Sequence, residues 1–368
     1  MKKKNTVLIL AGVGAVVKIV HSMVRTIKRG SHFLDSYVDK AEKINVNSKM
    51  VLEEDGYYSI IKKDKQPFKV LQLTDMHIGG GYLSRHEDMQ ALGIVSRLIK
   101  STKPDMIVIT GDLACPRAHV ALSRNNLNAY RIITDMLENI GIPYAITFGN
   151  HDTTEKSTHT RRELRDFLLT REHCLLVKTK DNESLTGFSN YFVRLKNSDN
   201  KINSVIFMLD SNEYIYANKK RTYDYIHDDQ VKWYERVTKR INKDEGRKVP
   251  SYVYFHIPIR EYIDAWKSAV DAKGSSKYFY GSKDENISPS KVESKLFSKV
   301  LELGSTKGLF CGHDHLNDFS VEYKGVRFTY GQSLDCILYA KNLSEHKGAT
   351  ILKIDKEGNF SIKGKKHR

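Results

Sequence analysis

From residue 67 onward, short apolar runs alternate with longer stretches in which apolar side chains recur every three or four positions. The short runs fit buried strands and the longer ones amphipathic helices. Strands are expected at Phe68–Thr74, Met106–Thr110 and Tyr144–Phe148. Helices are expected between them at His86–Lys100 and Leu127–Ile140, the second closed by Gly141 and Pro143. This βαβαβ order predicts a parallel sheet with helices on its faces. The later half repeats the texture less regularly. Tyr191–Leu195, Ser204–Leu209, Ser251–Phe255 and Gly308–Cys311 read as strands, as do segments near Val326–Tyr330, Ala349–Ile354 and Phe360–Ile362. Asp228–Ile241, capped by Asp228 or Asp229, and Lys291–Leu303 read as helices. Residues 272–289, rich in Gly, Ser, Lys and Asp, read as a surface loop. No repeat and no linker divides 67–362, so one α/β domain over 67–368 is the simplest organisation, ending in a basic tail, Lys363–Arg368. Residues 35–66 are mixed and polar and are expected to form a connector, with an edge strand near Tyr57–Ile61.

Residues 1–34 differ in kind, for they contain no acidic side chain. Lys2, Lys3 and Lys4 precede an uncharged run from Asn5 to Val17. That run is shorter than the about 20 apolar residues a membrane span needs. A helix here has Val13, Val17, Val20, Val24 and Ile27 on one face and Lys18, His21, Arg25 and Lys28 on the other. Residues 5–29 are therefore expected to associate with a membrane as an amino-terminal anchor whose second half lies in the interface. The alternatives are a signal peptide of a secreted protein, with Val13-Gly14-Ala15 as a poor cleavage site, an organellar presequence, or a basic helix of a soluble cytoplasmic protein. Basic residues flank the run on both sides, so charge gives no orientation.

Sixty basic residues against 44 acidic ones give the 368-residue chain a formal net charge of +16. Such a surface attracts phosphate esters, nucleic acid or acidic lipid. The lysines are scattered, and no basic stripe with interleaved aromatics stands out, so nucleic acid is not the expected partner. Cys115, Cys174, Cys311 and Cys336 share no CxxC spacing. This speaks against a zinc knuckle or a disulfide scaffold, and four free thiols are expected. Nothing in the sequence indicates an oligomeric state.

Residues able to bind metal recur just past the carboxyl end of an expected strand, where open α/β sheets hold their sites. LQLTDMH ends in Asp75 and His77, and IVITGDL carries Asp112. ITFGNHD supplies Asn150, His151 and Asp152, YVYFHIP supplies His256, and LFCGHDH supplies His313 and His315. Each alone reads as a turn or a structural histidine. Five in one chain point to a shared site. Carboxylate, imidazole and amide oxygen without thiolate suit Mn, Fe, Zn or Mg. The ligands suffice for two ions, with Asp112 a candidate bridge. Two ions about 3.5–4 Å apart can clamp both the attacking and the leaving oxygen of an in-line displacement at phosphorus.

The blocks DMH, GDL, GNHD, HIP and GHDH, in this order and at these separations, resemble the calcineurin-like metallophosphoesterase superfamily over roughly residues 67–340. FMLDSNEY, YDYIHDDQVKWY and GHDHLNDF are further similar to the branch containing the purple-acid-phosphatase-like proteins of plants, fungi and bacteria. The resemblance implies a four-layer α/β/β/α sandwich of two mixed sheets flanked by helices, with a dinuclear metal site at the carboxyl ends of the strands. It implies that Asp75, His77 and His315 bind one ion, that Asn150, His256 and His313 bind the other, and that Asp112 bridges. His151 would face the substrate, stabilise charge and help protonate the leaving oxygen, with Asp152 orienting its imidazole. The implied activity is hydrolysis of a phosphoric ester, as phosphatase or phosphodiesterase, by a hydroxide held between two divalent or trivalent ions. True purple acid phosphatases place an iron-ligating tyrosine three residues after the bridging aspartate. Here Cys115 stands there, so purple colour is not expected and the metal need not be ferric iron. The superfamily also contains scaffolds that have lost ligands, so a non-catalytic interaction scaffold is one alternative and a nuclease another. Loops 79–86, 115–126, 153–160, 212–224 and 272–289 would set the substrate; their basic and aromatic residues are Tyr82, Arg85, Arg117, Arg124, Tyr214, Tyr216, Lys219, Lys220, Arg221, Tyr278 and Tyr280, each of which also reads as ordinary solvated loop decoration.

Overall fold

The computed structural model describes residues 2–29, 41–154, 156–271, 274, 276–338 and 347–366. Residues 30–34 of the amino-terminal segment, 35–40 of the connector, 272, 273 and 275 of the expected loop, and 367–368 of the tail lie outside the described residues.

The chain opens with helix α1 (Lys2–Arg29) and strands β1 (Ser48–Leu52), β2 (Tyr58–Lys62) and β3 (Phe68–Leu73). Next come α2 (Arg85–Thr102), β4 (Met106–Thr110), α3 (Ala118–Ala121), α4 (Asn126–Ile140), β5 (Tyr144–Thr147) and α5 (Arg161–Leu168). The middle of the chain holds β6 (Tyr191–Lys196), β7 (Ile202–Met208), β8 (Tyr214–Ala217), β9 (Lys220–Tyr223), α6 (Asp228–Asp244), β10 (Ser251–Tyr254) and α7 (Glu261–Val270). The last elements are β11 (Lys277–Tyr280), α8 (Leu296–Leu303), β12 (Thr306–Cys311), β13 (Ser320–Tyr323), β14 (Val326–Tyr330), β15 (Gly348–Ile354) and β16 (Phe360–Lys366).

Nine strands form one sheet in the order β1-β2-β6-β7-β10-β12-β14-β13-β11, and five form a second in the order β16-β15-β3-β4-β5. Both are mixed. β3, β4 and β5 run parallel while β15 opposes β3, and β10 lies parallel between β7 and β12. Every residue of β4 and β5 is buried, which is why these segments read as unbroken apolar runs. Tyr191 joins the sheets, its hydroxyl accepting from Ile146 N at 2.7 Å and donating to Ile146 O at 3.0 Å. Helices cover the outer faces. Trp233 and Tyr234 of α6 stack edgewise on Phe207, and α2 buries Ala91, Leu92, Val95 and Leu98. The architecture is the sandwich of two mixed sheets flanked by helices that the resemblance implies.

Several details differ from the sequence reading. The stretch read as a connector adds two strands to the larger sheet, and β2, expected at an edge, lies between β1 and β6. The loop expected over 272–289 contains β11, an edge strand paired with β13 through its backbone. Its outward side chains give no burial pattern to read. The helix expected from Lys291 begins at Leu296, because the hydroxyls of Ser290 and Ser294 donate to Tyr223 O and Ile226 O, both at 2.7 Å, and hold the preceding chain extended. The amino-terminal cap of α6 is His227 rather than Asp228 or Asp229. Strands β8 and β9 make a hairpin that was not foreseen. Its turn residues Asn218 and Lys219 both have positive φ, at 51° and 61°, without the glycine that usually signals such a turn. All four cysteines are buried and unpaired.

Among the described residues, no helix is long and apolar enough to cross a membrane. The end of α1 docks on the start of α4. Ile27 O accepts from Arg124 N at 2.8 Å, and Arg29 O accepts from Asn125 Nδ2 at 3.0 Å. Its apolar stripe does not pack on the domain: Val17 is 60% exposed and Val20 54%.

Candidate metal centre

The site lies where β3, β4, β5, β10 and β12 end. Past β3 the chain keeps its register against the continuation of β4, with Asp75 N donating to Gly111 O and His77 N to Asp112 O. Asp75, His77, Asp112 and His313 all adopt the left-handed region, with φ of 52°, 51°, 47° and 82°. Such backbone costs on the order of 1 kcal/mol or more per non-glycine residue and gathers at functional sites. Here it turns side chains from successive strand ends toward one point. Two glycines allow the approach. A Cβ on Gly149 would stand 2.2 Å from Asp112 Oδ1, and one on Gly312 would stand 2.5 Å from Asp75 Oδ2.

Two groups of ligand atoms result. Asp75, His77, Asp112 and His315 offer atoms within 4.8 Å of one another, and so do Asp112, His256 and His313. Asp112 belongs to both. His256 Nε2 lies 3.1 Å from Asp112 Oδ2 and 3.1 Å from Asn150 Oδ1, while His77 Nε2 lies 3.5 Å from Asp112 Oδ2 and His315 Nε2 3.4 Å from Asp75 Oδ1. Ligands that share an ion at about 2.1 Å stand roughly 3–3.5 Å apart. All seven expected ligands are thus brought together.

Buried polar atoms here lack partners within the protein. His77 Nδ1 and His313 Nδ1 make no hydrogen bond. Leaving such atoms unmatched is costly unless something else satisfies them, and cations fit the donor set. Electrostatics agree. Burial pushes the His256 imidazole down, but Asp112 and Asp75 outweigh it and hold it at about 9. His315 is likewise lifted to about 9 against burial by Asp335 and Asp75. Burial and the neighbouring His256 push His313 down to about 3. The carboxylates thus concentrate negative potential where positive charge is wanted. His256 Nδ1 faces Thr110 O at 2.8 Å, which places its proton there and leaves Nε2 as the ligand atom.

His151 sits at the rim. Its backbone N donates to Asp112 Oδ1 at 2.7 Å. Asp152 does not stand behind its imidazole as expected. The Asp152 carboxylate instead accepts from the backbone of Asp112, Ala114 and Gly149, and so braces the loops that carry the ligands. The partner of His151 is Arg117, whose Nη2 lies 3.0 Å from His151 Nδ1. Cys115 is buried near His77 but joins neither ligand group.

The motifs assign no site role to three contributors. Asp335 Oδ2 lies 3.2 Å from His315 Nδ1. Tyr223 packs edgewise on His313 with ring centroids 4.4 Å apart. Buried Arg161 ties the Gly149 loop to the segment after β7, donating to Asp210 Oδ1 at 2.7 Å, Glu213 Oε1 at 2.8 Å, Gly149 O at 2.7 Å and Asn212 O at 3.1 Å. Arg161→Met is expected to destabilise the fold by about 3–5 kcal/mol, because it strands a buried carboxylate. Urea unfolding measures this, and a loss under about 1 kcal/mol would reduce the pair to the worth of a surface contact.

Comparison with known proteins agrees with this geometry. The calcineurin-like phosphoesterase family matches residues 68–317. A protein of Arabidopsis thaliana named "Probable inactive purple acid phosphatase 28" is 30% identical over 351 residues, covering 87% of this chain and 83% of its own. "Phosphatase DCR2" of Saccharomyces cerevisiae is 26% identical over 72% of this chain, which spans only 46% of that protein. In structure, a dimetal phosphatase from Danio rerio superposes with a TM-score of 0.50 over 81% of this chain and 96% of its own, at 12% identity, a likeness of fold. The chain belongs to the calcineurin-like phosphoesterase family.

Proposed function

We propose that the chain is a metal-dependent hydrolase of phosphoric esters. The observation that carries this reading is Asp112, whose carboxylate belongs to both ligand groups. The Arabidopsis relative is named as probably inactive; the complete ligand set of this chain supports activity. Asp75, His77 and His315 would hold one ion, Asn150, His256 and His313 the other, and Asp112 both. When bound, a pair of Mn, Fe, Zn or Mg ions supplies Lewis acidity and a nucleophile at neutral pH.

The chain's own part centres on His151. Burial holds its imidazole down at about 4, so it is neutral near pH 7. An arginine can only donate, so Arg117 makes Nδ1 the acceptor and leaves the proton on Nε2. From there it can donate a hydrogen bond to charge developing on a phosphoryl or leaving oxygen.

The test is hydrolysis of an aryl phosphomonoester and a bis-aryl phosphodiester by the full chain, stripped with EDTA and reloaded with each metal. Metal-dependent turnover is expected, and the ratio of the two rates separates phosphatase from phosphodiesterase. Reloading at 100 times the dissociation constant should also add about 2.7 kcal/mol of stability for each ion bound. Two bound ions without turnover on either ester would sink the hydrolase reading and favour a scaffold.

The same proposal places α1 on a membrane surface. Its support is the exposed stripe of Val13, Val16, Val17, Val20 and Val24 beside Lys18, Arg25 and Lys28. Replacing Val17 and Val20 with Glu should release the protein from anionic vesicles in a sedimentation assay. Unchanged sedimentation would refute the attachment.

A further inference from the structure

Two cavities meet at Arg117 and His151. One, of about 360 Å³, is lined by His313, His315 and Tyr223 and is the mouth of the metal centre. The other, of about 530 Å³, is a vestibule reached past Asn150 and His151. Its walls carry Arg117, His119, Arg124, Lys156 and Arg221. The carboxylate among its lining residues is Glu213, and Arg161 holds it at 2.8 Å. Among the described residues, none of Arg117, Arg124, Lys156 and Arg221 is matched by a carboxylate. The vestibule therefore has a surplus of positive charge next to a centre that, once it holds its ions, would also attract anions.

Two of its arginines are held in place. The Arg221 guanidinium lies 3.8 Å from the ring centroid of Tyr214, and Tyr214 in turn accepts from Asn150 Nδ2 at 3.0 Å. Arg117 is fixed on His151. An arginine whose orientation is already set loses less freedom when it grips a phosphate, and its planar fork suits that anion.

We propose that the vestibule is a subsite for a second phosphate, so that the preferred substrate is a small bisphosphorylated molecule cleaved at one phosphate while the other is held by Arg124, Lys156 and Arg221. This rests on the hydrolase reading and names its substrate class. The bisphosphate is a soluble sugar- or polyol-type compound or the headgroup of a lipid. The second source has structural support, since Arg124 is the residue on which the end of α1 docks.

The experiment compares inositol monophosphate with inositol bisphosphate, using the full metal-loaded chain. The specificity constant for the bisphosphate is expected to be at least about tenfold higher, the size of a charge-assisted hydrogen bond. R124A and R221A should each lower the ratio of bisphosphate to monophosphate by about tenfold, chiefly through KM, with R221K recovering part of it. Equal specificity constants in the unaltered protein, or a ratio unmoved in both variants, would overturn the subsite. If neither compound is hydrolysed, the aryl esters decide the hydrolase reading and calorimetric binding still decides the subsite. Bisphosphate bound about tenfold more tightly than monophosphate, and no longer so in the R124A/R221A double variant, supports it; equal affinities overturn it. Presenting the bisphosphate headgroup in vesicles identifies the source. Faster turnover there than with the soluble compound assigns a lipid, and slower turnover assigns a soluble substrate, either result being consistent with the subsite.

Discussion

Asp112→Ala is expected to empty both metal positions and to lower turnover by about four orders of magnitude, roughly 5 kcal/mol in the barrier. Among the described residues no other ligand serves both groups, so its loss is not local. The side chain also holds the backbone of His151, through a 2.7 Å hydrogen bond to Oδ1. Alanine therefore removes the bridge and loosens the rim together. Asp112→Asn separates the two effects, because its amide oxygen can keep the bond to His151 N while the bridging charge is lost. Elemental analysis of the purified variants, alongside hydrolysis of an aryl phosphate, gives the answer. Two ions and full activity in Asp112→Ala would refute the shared-ligand assignment.

His151→Ala should behave differently. The metals are expected to stay, since His151 belongs to neither ligand group, while turnover falls by about 10²–10⁴-fold, the usual range for a proton donor or acceptor at a reacting centre. The loss should be larger for a poor leaving group than for an activated aryl ester, because the former depends more on help at the leaving oxygen. Arg117→Ala should copy part of this loss by freeing the tautomer of His151. A variant of His151 that came without metal would reassign the residue as a ligand.

The sequence made the parallel core and the candidate ligands legible for one reason. Each central strand is an apolar run that stops abruptly at a ligand, as IVIT does before Gly111-Asp112. Burial on both faces writes the run, and chemistry writes its end. What stayed hidden lacks that contrast. Arg161 opens α5 in a polar stretch, THTRRELRDF, where an arginine looks like solvated charge, yet it is buried among five acceptors. Asp335 comes from the segment after β14 and becomes part of the site through a tertiary contact with His315. The β8–β9 hairpin escaped because Asn218 and Lys219 make its turn without glycine. Asp152 was misplaced because adjacency to His151 in sequence suggested adjacency of side chains, whereas its carboxylate turns back onto three backbone amides.

The left-handed backbone at Asp75, His77, Asp112 and His313 also bears on how such a chain can change over generations. These residues lie beyond the strand ends, outside the apolar core. An asparagine in place of either aspartate tolerates the same backbone and leaves the sandwich standing, so a lineage can lose catalysis in a single step and keep a folded surface for other uses. The reverse path is harder. A metal ligand must return to a position where the backbone is already twisted, facing glycines with no room for a side chain. Inactive chains that keep the fold are then expected to arise readily from an active ancestor.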